Sequence, residues 1–90
     1  MVTDRLFVNP PVENVRNGDG FFLGKNFPVN LFNCTSFVKG TSSVKDSELQ
    51  VPVIIFHYLD DKTHSWCFPT EERRDDTFER LKRVYSLTSY

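Results

Sequence analysis

An α+β fold, with a curved antiparallel sheet of five or six strands and one C-terminal helix packed on it, is what this sequence predicts, on three observations. β-branched and aromatic residues fill 32 of the 90 positions and alanine is absent, a balance that suits pleated strands and argues against a helical bundle. All four glycines lie between residues 18 and 40 and all six asparagines between 9 and 33, so turns crowd the first half. An apolar stripe of helical period follows the last strand signal, from Arg74 to Tyr85. Val, Leu, Ile and Phe number 28 of 90, more than a disordered chain carries, and the length suits one domain over residues 1–90.

Arg5-Leu6-Phe7-Val8 reads as a short strand stopped by Asn9-Pro10-Pro11, because proline brings no ladder donor. Val12 to Arg16 extends again, and Asn17-Gly18-Asp19-Gly20 supplies two overlapping tight-turn dipeptides, which predicts a hairpin near residue 18. From Phe27 to Val38 neither alternating face is uniformly apolar, and a bend or bulge near Asn33 reconciles the pattern. Residues 40–50 are polar and punctuated, a surface loop.

Val51 to Leu59 and Thr63 to Phe68 are the strongest strand signals and form a hairpin about Asp60-Asp61-Lys62. A three-residue loop would gather Ile54, Phe56, Tyr58, Trp66 and Phe68 on one face. A two- or four-residue loop would instead group Val53, Ile55 and His57 with His64, Trp66 and Phe68. The first register is preferred because it builds one aromatic core face. Thr70 offers a helix N-cap, with Glu71 and Glu72 in the first turn. Arg74, Phe78, Leu81 and Tyr85 then fall on one stripe, with Val84 beside it, and Asp76–Arg80 and Glu79–Arg83 are spaced for i,i+4 pairs. The expected core is Phe22, Leu31, Val53, Ile54, Phe56, Trp66, Phe68, Phe78, Leu81 and Tyr85.

Eleven basic against twelve acidic residues give a net charge of −1, without the positive excess that non-specific phosphate binding exploits. The longest purely apolar run, Val53 to Phe56, is too short for a signal peptide or a membrane span, so a soluble cytoplasmic chain is expected. Cys34 and Cys67 stand far apart with no CxxC and read as reduced, buried thiols. The sequon Asn33-Cys34-Thr35 would matter only in a secreted chain.

Several motifs resemble chemical sites. Gly18 to Lys25 looks like a phosphate loop, but Asp19, Asn26 and Leu23 stand where a Walker or dinucleotide loop needs other residues. His57, His64, Cys34 and Cys67 hold ligand types for zinc, or for a thiol and its base, without the paired spacing of a metal site. Asp60-Asp61, Glu71-Glu72 and Asp75-Asp76 read as solvated charge, since neighbours on a helix diverge by about 100°. Arg73, Arg74, Arg80, Lys82 and Arg83 could grip nucleic acid, although acidic residues at the helix start and basic ones at its end also suit the helix dipole.

Residues 51–85 resemble the end of a pleckstrin-homology-like domain in their strand, hairpin, aromatic-alternating strand and packing helix, carried by Trp66, Phe68, Arg73, Phe78 and Leu81. The resemblance implies a curved sheet closed by the C-terminal helix and a binding role without catalysis. The first loop has no lysine and arginine cluster for an inositol phosphate, so lipid binding is not implied.

The function expected is a non-catalytic binding or assembly module, pairing through its sheet with another protein or with itself as a homodimer. The alternative is a nucleic-acid accessory protein using the helix arginines and exposed aromatics. No catalytic residue, metal or small-molecule cofactor is assigned, binding residues are left open, and no membrane partner is expected.

Overall fold

A computed structural model describes residues 7–16, 20, 22–43 and 49–88, with side chains as far as residue 85. Within them the fold is α+β. In chain order the strands are Phe7–Val8 (β1), Asn14–Arg16 (β2), Phe22–Lys25 (β3), Val29–Asn30 (β4), Cys34–Ser43 (β5), Gln50–Tyr58 (β6) and Thr63–Cys67 (β7), followed by the helix Glu71–Thr88 (α1).

These strands do not join into one sheet of five or six. Among the described residues they form three antiparallel sheets, a main sheet of order β5-β6-β7 and two ribbons, β1-β4 and β2-β3. Proline is the physical reason: Pro10 and Pro11 separate β1 from β2, and Pro28 precedes β4, each removing a donor that a continuous ladder would need. Of the hairpin expected near residue 18, positions 17–19 lie outside the described residues, but β2 and β3 do pair across it, Arg16 opposite Phe22, and Gly20 takes the positive φ of +84°. Residues 5 and 6 of the first expected strand also lie outside.

The bend foreseen near Asn33 is a single 3-10 turn, Leu31–Asn33, and the ladder slips between Cys34 and Ser36 just after it. Asn30 starts this turn by accepting a hydrogen bond from Phe32 N at 3.1 Å. β5 then continues to Ser43 and β6 starts at Gln50, so strand occupies both ends of the stretch 40–50 expected as a loop; residues 44–48 lie outside the described ones.

The β6–β7 hairpin has the three-residue loop length and the aromatic face expected, but its loop starts one residue before the expected Asp60-Asp61-Lys62, which shifts the pairing by two residues. Ile54 pairs with Trp66 and Phe56 with His64, and Tyr58 N donates to Lys62 O at 2.9 Å, closing a three-residue loop Leu59-Asp60-Asp61. Asp61 takes φ +65°, the left-handed conformation such a loop requires. Phe56 and Trp66 meet edge to face at 4.9 Å, and Phe37 of β5 contacts the Phe56, Phe78 and Tyr85 rings at 5.9, 5.3 and 5.7 Å. Each fully buried ring contributes about 2–3 kcal/mol from apolar area alone.

α1 covers this aromatic face. Thr70 caps it, its hydroxyl accepting from Arg73 N at 3.2 Å. The helix runs on to Thr88, so Arg80, Lys82 and Arg83 sit in its middle and not at its end, and its last turn carries no basic residue. Arg80 pairs with Asp76 as expected, at 3.3 Å, whereas Glu79 pairs with Lys82 at 3.5 Å in place of Arg83, an i,i+3 contact on the same face.

Of the expected core, Leu31, Val53, Ile54, Phe56, Trp66, Phe68 and Leu81 are buried, and Phe78 and Tyr85 pack half-buried against them. Phe22 is the exception. It is 46% exposed, with the Arg16 guanidinium 5.5 Å from its ring centroid, because its strand belongs to a ribbon and not to the main sheet. Val15, Val29 and Val51 fill core positions not foreseen, and of the two thiols expected to be buried Cys34 is, while Cys67 is half-buried.

Candidate functional site

The residues with chemical potential are spread through the fold. His64 stands opposite Phe56 and His57 opposite Thr63, so the observed register sends the two histidines to opposite faces of the sheet. Cys34 pairs with Tyr58 and Cys67 with Val53 at opposite ends of β6, about 17 Å apart along the strand at ~3.3 Å per residue. Both thiols are free, and burial pushes each above its ordinary pKa, the reverse of what a nucleophile needs. Among the described residues no cluster of three metal-ligating side chains forms.

Of the phosphate-like stretch, Phe22–Lys25 is strand. Lys25 lies 3.8 Å from the Glu13 carboxylate and 5.3 Å from the Phe27 ring centroid. The carboxylate pairs diverge: Asp75 is held by Arg74 at 3.0 Å and Lys39 at 3.6 Å, while Asp76 faces Arg80. Hydrogen bonding from the Arg74 side chain keeps the Asp75 carboxyl below the usual range, with Lys39 adding to it. Arg74 itself also donates to Gly40 O at 2.9 Å, so the basic run on α1 is partly committed to contacts within the chain.

Asn26, which the sequence reading did not single out, holds the first half of the chain to the sheet. It is buried, its Nδ2 donates to Val12 O at 2.8 Å and to Cys67 O at 3.0 Å, and its Oδ1 accepts from Cys67 N at 2.9 Å. Its backbone N also donates to Glu13 O at 2.7 Å. One amide thus stands in for the missing strand at the outer edge of β7. Nearby, Trp66 Nε1 donates to Phe27 O at 2.6 Å, and Gly24 passes so close to Cys67 that a Cβ there would lie 2.7 Å from Sγ. A buried polar residue two positions before Pro28 was the only local signal.

An open groove with exposed apolar side chains lies at the turn end of the main sheet. Phe7, Pro28, Asn30, Asn33, Tyr58, Leu59 and Asp60 line this groove of about 440 Å³. Phe7 is 60% exposed and Leu59 70%, and Phe32 stands exposed in the adjoining 3-10 turn. The backbone of the groove is fixed: Leu59 N donates to Asn33 O at 3.1 Å, and Asp60 Oδ1 accepts from Lys62 N at 3.1 Å. Burial, and after it the Cys34 and Asp60 charges, push the Tyr58 phenol above its ordinary pKa.

No helix among the described residues is long and apolar enough to cross a membrane. No family model, no curated protein and no solved structure matches this chain.

Proposed function

We propose that this protein is a non-catalytic interaction module whose binding face is the groove at the β6–β7 turn. The observation that carries the reading is the pairing of exposed Phe7 and Leu59 across a concavity of about 440 Å³ on rigid backbone. Large apolar side chains left in water around a preformed hollow are the usual mark of a docking surface. The separation of His57 from His64 and of Cys34 from Cys67 supports a role without catalysis. The resemblance of residues 51–85 to the end of pleckstrin-homology-like domains agrees with a binding role.

Self-association through the sheet has support of its own, since β5 has a ladder partner on one side only among the described residues. Lys39 and the Arg74 bond to Gly40 O stand on that same strand and guard part of it, which favours the groove. The nucleic-acid alternative draws less support, because Asp76 and Glu79 lie against Arg80 and Lys82.

A random peptide library panned on the immobilised protein and on Leu59→Lys tests the reading. Wild type should retain peptides with apolar anchors that the variant does not hold, and identical selections from the two proteins end the proposal. In sedimentation at micromolar concentration, a dimer that Leu59→Lys dissolves would make the partner a second copy; a dimer indifferent to it would move the interface to β5.

A further inference from the structure

The wall of the groove differs in charge from those of the other cavities. Three further cavities among the described residues have a lysine or arginine in the wall, Lys25 in one, Arg73 and Arg80 in another and Arg80 again in the last. Among the described residues the groove at the turn has none. It offers two aromatic rings, Phe7 and Tyr58, the apolar Pro28 and Leu59, and one carboxylate, Asp60. We infer that it takes a lysine or arginine side chain of a partner polypeptide, the alkyl stem lying on Phe7, Pro28 and Leu59 and the charge meeting Asp60 and the Tyr58 ring. The inference rests on the proposed reading of the groove as a docking face.

The chemistry of the walls selects this occupant over others. A long basic side chain is apolar along its stem and charged at its tip, which matches a hollow with apolar sides and a carboxylate at the rim. An aromatic face attracts a cation through its quadrupole, and two rings beside a carboxylate add to that attraction. An acidic side chain would meet Asp60 with like charge. A wholly apolar one would strip water from Asp60 without replacing the lost hydrogen bonds. Asp60 is also held ready, because its Oδ1 already accepts from Lys62 N and the left-handed Asp61 fixes the turn, leaving the second carboxylate oxygen for a ligand.

The library selection separates this inference from the reading beneath it. Peptides retained by wild type and not by Leu59→Lys should share a lysine or arginine beside an apolar residue. A synthetic copy of one such peptide should bind Asp60→Asn about fivefold more weakly than wild type. The asparagine keeps an acceptor for Lys62 N, so the turn survives the change. Replacing that basic residue by norleucine should cost about the same factor on wild type and little on Asp60→Asn. Retained peptides without a basic preference, or an affinity unmoved by Asp60→Asn, overturn the inference and leave the docking face standing. Selections that Leu59→Lys does not alter overturn both.

Discussion

The two halves of this molecule are held together by different means. From Cys34 onward, long strands pair residue by residue and α1 lies over an aromatic face, so stability is spread over many contacts. Before it, strands of two to four residues form ribbons with little ladder of their own. They are fastened by a few side-chain bonds, chiefly those of Asn26 and the Trp66 indole. A distributed core loses a little when one contact is removed, whereas a pinned segment depends on its pin. The difference teaches where the groove gets its rigidity, since one wall is β6 and its turn and the other is the ribbon carrying Phe7, Pro28 and Asn30.

The largest effect should come from Asn26→Ala, which removes the pin. Val12 O, Cys67 O and Cys67 N would lose their partner in a buried setting, at a cost of about 3 kcal/mol. Hydrogen exchange should show residues 14–16 and 22–25 losing protection while 53–56 keep theirs. Uniform loss along the chain would mean that the two halves unfold as one unit and that the contrast drawn here is wrong.

A smaller effect is expected where the ribbon touches the sheet. Gly24→Ala would place its Cβ 2.7 Å from Cys67 Sγ and should cost about 2 kcal/mol in chemical denaturation. In a double-mutant cycle Cys67→Ala should recover at least half of that loss, because the sulfur is what the methyl meets. Additive effects of the two substitutions would refute the contact.

The smallest effect concerns the Lys39–Asp75–Arg74 contact between β5 and α1. The folded Asp75 carboxyl titrates below its ordinary 3.8, so its contribution is complete above that pH and is lost as pH falls through the lower folded value. Asp75→Asn should flatten the acid limb of the stability profile below pH ~4 and change little at neutral pH, as suits an exposed group. An unchanged acid limb would show that the contact contributes nothing measurable.

The faces of the hairpin were legible because one of the alternatives alone gathered Ile54, Phe56, Tyr58, Trp66 and Phe68 together, and burial of an aromatic face decides such a choice, whereas the placement of the loop, one residue earlier than expected, was not. The cap at Thr70 was legible for a similar reason, since the hydroxyl and the amide it satisfies are three residues apart. Phe22 misled because an aromatic after a turn reads as core when its strand is assumed to join the sheet. The candidate histidines and cysteines could be placed only once the register was known. The groove brings together residues as distant as Phe7 and Asp60, and no local pattern marks such a meeting.

By itself the sequence determined the α+β class, the β6–β7 hairpin with its aromatic face and the start of the helix covering it. These follow from periodicity, turn chemistry and capping, which act over a few residues. Only the tertiary structure decided that the first half would dock as ribbons on Asn26, that β5 would extend to Ser43, and that exposed Phe7 and Leu59 would face one hollow. The reason is separation along the chain. Asn26 meets Cys67 across 41 positions, and a hydrogen bond closed over such a span is set by how whole elements pack.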